Sequence, residues 1–230
     1  MPIEITLERR QLQLTSTEAA LAKAATSRQA LCRQFDRAIA AKQALFEPAG
    51  SLKVDEATLR WSIHRYSEQL VPDATAQIKG FLALQRPLYF EPGFAPLYYF
   101  THKSGGQGVS VSKSAVAAVA EGIGAIVMQR LMKARILCRP CHDYPDMIGT
   151  DAPAGNQITS SKLYLMEVKG TCMRSVAEMR QTLAEEVFRL AAYTAAAQDL
   201  DPTRTMVGVL VGVVIHTVDH FHALLTEVTL

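Results

Sequence analysis

The sequence has 230 residues, 49% of them hydrophobic, and a formal net charge of +2 at pH 7. The length fits one large domain or a small domain with an appendage, and the near-neutral charge excludes a surface that attracts polyanions as a whole. No apolar run reaches the roughly eighteen residues that span a bilayer, and the polar, acidic beginning is unlike a signal peptide. Four cysteines without a secretory signal predict reduced thiols in a cytoplasmic protein.

The first hundred residues are predicted to be mostly helical. Residues 3–14 begin as a strand, and a capping box of Thr15 and Glu18 predicts one helix that continues to Phe46. Along this helix a small or apolar residue recurs every seven positions: Ala24, Leu31, Ala38 and Leu45. Such a stripe suits packing on another helix, within the chain or in a second copy, and a homodimer through these helices is the expected assembly.

A turn at Gly50 and Ser51 leads to two further predicted helices, over residues 55–70 and 74–84. Residues 87–100 hold two aromatic clusters, which either stack nucleic-acid bases or pin helices to a core. The glycine-rich loop 103–108 lacks the Gly-Lys-Ser/Thr ending of a phosphate-binding loop and marks the predicted domain boundary. The chain therefore divides into a mostly helical region, 1–107, for target binding or self-association, and a second domain, 108–230.

A helix is strongly indicated for residues 112–132, with an apolar stripe of Val116, Ala120, Ile123 and Val127. Glu121 is the lone acid on this helix, and its neighbours on the same face are alanines and glycines that allow close approach to a sheet. A carboxylate in such a place needs a partner, unless it is a solvated surface residue.

Four cations follow this helix closely: Arg130, Lys133, Arg135 and Arg139. A phosphodiester enzyme needs such a patch beside its carboxylates, because bare acids repel the nucleic-acid backbone. A solvated surface is the alternative. The Cys-x-x-Cys-His sequence at 138–142 resembles a haem attachment motif, but without an export signal its cysteines are interpreted as ordinary strand and loop residues.

The most informative stretch lies between His142 and Thr171. Residues 162–169 alternate as a strand, which places Glu167 and Lys169 on one face. Residues 146–151 form a shorter segment that ends in a turn-rich cluster, 151–156. If the two pair as an antiparallel hairpin about this turn, Asp146 lies opposite Glu167.

Two carboxylates and one ammonium then converge, and a divalent cation with oxygen ligands relieves the repulsion between the acids. This arrangement resembles the PD-(D/E)xK nuclease superfamily, with Pro145-Asp146 and Glu167-Val168-Lys169 as the matching residues. The resemblance implies that Asp146 and Glu167 hold Mg²⁺, with Mn²⁺ as a substitute. The Val168 carbonyl adds a ligand, and Lys169 positions the attacking water.

The resemblance also implies a role for Glu121, because many such nucleases carry a glutamate on the helix before the first core strand, where it touches the metal site directly or through water. His142 and Asp143 are close enough in sequence to bind metal or substrate. The four cations at 130–139 are the expected substrate-binding residues.

An amphipathic helix is predicted for residues 175–197, with Arg189 among the residues on its outer face, followed by a buried strand at 206–215 and a last strand at 220–229. His216, His220 and His222 either hold a transition metal or lie in separate environments. From residue 112 the element order matches the nuclease core. The expected fold is therefore α/β (mixed α+β), with a restriction-endonuclease-like mixed sheet flanked by helices.

The predicted function is that of a Mg²⁺-dependent nuclease, specifically a DNA endonuclease that uses a Mg²⁺-activated water, with nucleic acid as the partner and no membrane association. The rival hypothesis is a non-catalytic nucleic-acid-binding or protein-binding module that has kept a nuclease-like fold.

Overall fold

A computed structural model describes residues 2–25, 29–43, 45–85, 112–140, 144–153, 162–172 and 174–230. The aromatic segment 87–100, the loop 103–108, Cys141, His142 and Asp143 lie outside the described residues, so the predictions made for them stay predictions. The strands are β1 (Ile3–Gln13), β2 (Glu47–Val54), β3 (Arg135–Cys138), β4 (Met147–Thr150), β5 (Leu163–Thr171), β6 (Met206–Ile215) and β7 (His220–Thr229). The helices are α1 (Ser16–Ala25), α2 (Gln29–Ala40), α3 (Glu56–Tyr66), α4 (Ala74–Gln85), α5 (Lys113–Arg130) and α6 (Val176–Leu200).

The described residues form one mixed sheet of seven strands in the order β2-β1-β7-β6-β5-β4-β3, flanked by six helices. Every residue of β6 is buried, as its uninterrupted apolar sequence predicts for a central strand. β5 runs parallel to β6, and the connection between them contains α6. The predicted α/β class with helices around a mixed sheet is confirmed, as are the predicted β5, α5, α6, β6 and β7.

The N-terminal region contributes strands as well as helices to this architecture. β1 pairs in parallel with β7 over ten residues, and β2 pairs antiparallel with β1. The turn predicted at Gly50 and Ser51 is wrong, because both residues lie within β2. Gly50 adopts φ +90° beside a bulge between Leu7 and Glu8, a conformation that glycine adopts without strain.

The single helix predicted from Thr15 to Phe46 is also wrong, because two shorter helices, α1 and α2, occupy this stretch. Its predicted start is confirmed: the Thr15 N–H donates to Glu18 Oε2 at 2.7 Å, and the Glu18 N–H donates to Thr15 Oγ1 at 3.3 Å. The seven-residue stripe does not form the core, since Ala24 and Ala38 are exposed and Leu45 is 88% exposed. The homodimer prediction thereby loses the continuous helix on which it rested.

The helices form two layers, one on each face of the sheet. α5 packs on one face with α3 and α4 behind it, whereas α6 packs on the other face beside α1 and α2. A Cβ atom on Gly124 would lie 2.8 Å from Val168 Cγ2, so glycine allows α5 to approach β5 closely. The described residues on both sides of the predicted boundary at 107 thus share one sheet and the same two helical layers.

Among the described helices, none combines the length and the apolar character that crossing a bilayer requires.

Candidate active site on the β4–β5 hairpin

The candidate site is built on the antiparallel pair β4 and β5. Met147 pairs with Met166, so the next position outward places Asp146 opposite Glu167, as the sequence predicts. Asp146 Oδ2 accepts a hydrogen bond from the Val168 N–H at 2.7 Å. Since the N–H and C=O of one residue in a strand point to the same side, the Val168 carbonyl also faces the strand edge beside Asp146.

Glu167 and Lys169 share one face of β5, and their side chains form a hydrogen-bonded ion pair. Lys169 Nζ donates to Glu167 Oε1 at 2.7 Å, and the two side chains are 29% and 8% exposed. Burial alone lowers the pKa of Lys169, but the hydrogen bond and the charge of Glu167 outweigh it, so the pKa of the ammonium is raised above its ordinary value. The lysine therefore stays charged and neutralises one of the two opposed acids.

Asp146 carries the unrelieved charge of this pair. Burial, followed by the charge of Glu167, raises the pKa of Asp146 from its ordinary 3.8 to about 7. The Val168 hydrogen bond acts in the opposite direction but does not cancel these two effects. A cation bound between Asp146 and Glu167 would take the place of this proton. It would also relieve the repulsion between the two carboxylates.

Glu121 is buried, as the sequence predicts for a lone acid among small residues, but it has its own partner. Its Oε2 accepts the Glu68 N–H at 2.7 Å, just after the end of α3. Burial raises the pKa of Glu121, whereas the hydrogen bonds from residues 67 and 68 lower it in part. Its charge still acts on Asp146, where it adds to the raised pKa.

The expected cluster of three carboxylates is not present in the described part of the chain, and the sheet explains why. Glu167 is in register with Leu210, which belongs to the core beneath α6. α5 instead covers the opposite face of β5, where Gly124 meets Val168. Glu121 and Glu167 therefore project from opposite sides of the sheet, and Glu121 influences the site through Asp146 rather than beside Glu167.

Three residues of α6 and Tyr144, which precedes β4, form a group beside the hairpin that the sequence did not predict. The residues of α6 are Glu186, Arg189 and Tyr193. The Arg189 guanidinium carbon lies 5.0 Å from the centre of the Tyr144 ring, and the Tyr144 and Tyr193 rings are 4.4 Å apart. The prediction that Arg189 lies on the outer face of the helix is confirmed, since its side chain is 48% exposed, but the sequence did not show that it reaches Tyr144 from there. Tyr144 precedes β4 and is not part of a strand, so the alternation of faces along a strand gave no signal for it.

Electrostatics connects this group to the carboxylate pair. Burial raises the pKa of the Tyr144 phenol, and the charges of Glu167 and Glu186 raise it further. The charge of Glu186 also contributes to the raised pKa of Lys169. The α6 residues therefore face the same space as Lys169 and Glu167.

The cations predicted to bind substrate are spread around the sheet rather than gathered beside the acids. Arg130 donates to the Lys53 carbonyl at 3.0 Å, and Arg139 donates to the Tyr66 carbonyl at 2.9 Å. Arg135 pairs with Thr150, at the opposite end of β4 from Asp146, and Lys133 is exposed with φ 56°. Arg139 nevertheless acts on one candidate acid, since its charge partly offsets the raised pKa of Glu121. Lys169 hydrogen-bonds to Glu167, and Arg189 lies over Tyr144.

The three histidines of the β6–β7 turn lie near one another but keep separate partners. The His216 ring centre is 5.2 Å from that of His220 and 6.2 Å from that of His222. Nε2 of His220 is 3.3 Å from Thr6 Oγ1, and Nε2 of His222 is 3.1 Å from Glu8 Oε1.

Within the described ranges, no three His, Cys, Asp or Glu side chains form a group suited to a metal ion. The donors at the hairpin are two carboxylates and one main-chain carbonyl, all oxygen. Mg²⁺ prefers this donor class and commonly takes only one or two protein carboxylates, because it retains several waters. The residues present therefore fit Mg²⁺ better than a metal that needs a complete cage of side chains.

No protein-family model matches the chain, and no curated protein or solved structure matches it either.

Proposed function

We propose that this protein is a Mg²⁺-dependent phosphodiesterase, a DNA endonuclease with a restriction-endonuclease-like core. One observation carries the proposal: Asp146 and Glu167 oppose each other across the β4–β5 hairpin, with Lys169 bonded to Glu167. The order α5, β3, β4, β5, α6, β6 agrees with the nuclease core that the sequence motif implies. Support also comes from the raised pKa of Asp146, because an acid that resists ionisation in an apolar sheet indicates a missing counter-charge.

Each residue of the hairpin has a distinct role in this proposal. Asp146, Glu167 and the Val168 carbonyl would hold Mg²⁺, or Mn²⁺ in its place. When bound, the ion supplies positive charge that stabilises the charge developing on the phosphate. Lys169, fixed by Glu167, would orient the attacking water, and its ammonium would hold the anionic substrate on the same face of β5.

Glu121 has a positioning role in this mechanism. Its carboxylate accepts hydrogen bonds from the Glu68 N–H and the Ser67 side chain. The pKa of Asp146 is raised mainly by burial and by Glu167, and the charge of Glu121 adds to this shift. DNA is the proposed substrate because the motif resembles that of DNA-cleaving enzymes, and cleavage assays on DNA and RNA test this.

The test is a cleavage assay with duplex DNA, single-stranded DNA, branched DNA and RNA, each with Mg²⁺, with Mn²⁺ and with EDTA. The expected result is cleavage of DNA with either metal and none with EDTA. Isothermal titration with Mg²⁺ in the absence of nucleic acid provides a separate measurement. Metal binding without cleavage of any substrate would favour the non-catalytic binding module, and absence of both would remove the proposal.

A further inference from the structure

The hydroxyl of Tyr144 is buried next to the candidate site but forms no hydrogen bond among the described residues. Buried polar groups in folded proteins nearly always have a partner, so an exception beside a cluster of charged residues needs an explanation. A second atom, Oε2 of Glu186, whose charge acts on Tyr144, is also buried and has no hydrogen-bond partner among the described residues; Arg189 Nη1 lies 3.9 Å from it. Beside the site, the Tyr144 hydroxyl and Glu186 Oε2 are thus both without a hydrogen-bond partner among the described residues.

The Tyr144 ring is held in place by two residues of α6. Tyr193 packs against the ring at a centroid distance of 4.4 Å, with the ring planes tilted by 41°, and the Arg189 guanidinium lies over it at 5.0 Å. The hydroxyl oxygen lies on the long axis of the ring, so rotation about that axis does not move it. These contacts therefore fix the position of the hydroxyl oxygen, while its hydrogen can still turn about the C–O bond toward an acceptor.

The carboxylates around this hydroxyl do not use it. The charges of Glu167, Glu186 and Asp146 all act on the phenol, yet none of these groups accepts a hydrogen bond from it. A phenol, whose ordinary pKa is about 10, remains a donor at neutral pH. A fixed donor that its acidic neighbours leave unpaired suits an additional acceptor, and a phosphate oxygen is the acceptor that a phosphodiesterase brings to this place.

We propose that the Tyr144 hydroxyl donates a hydrogen bond to a non-bridging oxygen of the phosphodiester bound at Asp146 and Glu167, and that Arg189 holds the ring and adds positive charge there. This inference rests on the proposed function and adds Tyr144 to the residues that touch substrate. The phosphate is thereby contacted from two sides, by Lys169 on β5 and by Tyr144 with its support on α6.

Tyr144→Phe tests the inference because it removes the hydroxyl and keeps the ring on Tyr193 and Arg189. Since the deleted hydroxyl has no hydrogen-bond partner among the described residues, the thermal transition of the free protein is expected to stay the same or rise. The value of kcat/KM for DNA cleavage is expected to fall at least tenfold. Affinity is measured separately with fluorescent duplex DNA and Mg²⁺, in the Lys169→Ala background to prevent cleavage, and is expected to fall several-fold on adding Tyr144→Phe.

The matched control is Tyr164→Phe, which deletes a hydroxyl from β5 on the face that α5 covers. It is expected to leave both kcat/KM and DNA affinity unchanged. If the wild-type protein cleaves DNA and Tyr144→Phe cleaves it at the same rate, the role of the hydroxyl is overturned and the proposed function stays intact. A loss of activity explained by a lowered thermal transition would likewise assign the hydroxyl a structural role. Absence of cleavage by the wild-type protein would instead overturn the proposed function itself.

Discussion

At the scale of single residues, the charge balance of the hairpin determines its chemistry. Asp146 and Glu167 are opposed by the register of β4 and β5, and Lys169 can neutralise only one of them. The remaining negative charge lies in a sheet whose other residues are mainly apolar, where ionisation is costly. Arg189 is a second cation at the site, but it lies beside Glu186, so the carboxylate of Asp146 remains in excess, as a metal site requires.

The first prediction concerns Asp146→Asn, which keeps an acceptor for the Val168 N–H and removes the charge. The folded pKa of Asp146, about 7, exceeds its ordinary value of 3.8, so ionisation destabilises the fold, and the stability of the metal-free protein falls as the pH rises between these values. At pH 8 the variant is therefore expected to be more stable than wild type by about 1–3 kcal/mol, and at pH 4 the difference should vanish.

Urea unfolding at pH 4 and pH 8, in EDTA, measures this difference. The same experiment with Mg²⁺ supplies the control, because the ion should stabilise wild type at pH 8 but not Asp146→Asn. Equal stability of the two proteins at both pH values would show that Asp146 is not strained.

The second prediction is that Lys169→Ala abolishes cleavage while Mg²⁺ affinity is retained. Lys169 contacts Glu167 but supplies no oxygen ligand, so its loss should affect the reaction rather than metal binding. Single-turnover cleavage and Mg²⁺ titration measure the two properties. Lys162→Ala, at an exposed position directly before the same strand, is the control and should cleave normally. Full activity in Lys169→Ala would exclude the lysine from the mechanism.

At the scale of secondary structure, the sequence predicted elements with a strong periodicity and missed those that depend on distant partners. α5, β5, α6 and β6 have clear periods of 3.6 or 2, or continuous apolar runs. β2 lacks such a signal, since Pro48 and Gly50 interrupt it and most of its residues are exposed. Its conformation is set by pairing with β1, which local propensity does not reveal.

The register of the hairpin was predictable because, once the turn is located, paired residues lie at equal sequence distances on either side of it. The position of Glu121 was predictable only in part. Small neighbours indicated close packing, but the face of the sheet that α5 covers depends on the path of the chain, and so does the contact between α6 and Tyr144. The sequence thus predicted Asp146, Glu167 and Lys169 together, but not their relation to Glu121 or Arg189.

The third prediction uses two glycines in helices with opposite surroundings. A Cβ atom on Gly122 would lie 2.5 Å from Ile63 Cγ1 and 3.0 Å from the Ile63 backbone nitrogen, so α3 would have to move away from α5. Gly122→Ala is therefore expected to destabilise the protein by about 1–3 kcal/mol. Gly80→Ala in α4 meets nothing within 4 Å and should stabilise it by about 0.5–1 kcal/mol, because alanine favours the helix.

Thermal or urea unfolding of the two variants measures the contrast. A stabilising effect of both substitutions would mean that α3 and α5 separate easily, which would conflict with the tight contact seen between them.

At the scale of the whole molecule, the N-terminal and C-terminal parts contribute strands to the same sheet and helices to the same two layers. β1 covers the edge of β7 along ten residues, α3 and α4 pack on α5, and α1 packs on α6.

The fourth prediction is that a fragment of residues 112–230 does not unfold cooperatively, because it exposes an open strand edge and the apolar faces of two helices. Calorimetry of the fragment beside the full chain measures this, and a sharp transition in the fragment would show an independent domain.

The pairing of β1 with β7 also has a consequence for synthesis of the chain. Arg9 and Glu227 meet across this pair, 218 residues apart in sequence. At translation rates of roughly 5–20 residues per second, β1 waits on the order of ten to forty seconds before its partner leaves the ribosome. During that time β2 can protect one edge of β1, while the other edge stays open to wrong partners. Charged side chains along β1, including Glu4, Glu8 and Arg10, are the kind of residue that discourages such pairing. The charges on β1 are therefore expected to discourage wrong pairing in the growing chain, in addition to the contacts that they form in the finished sheet.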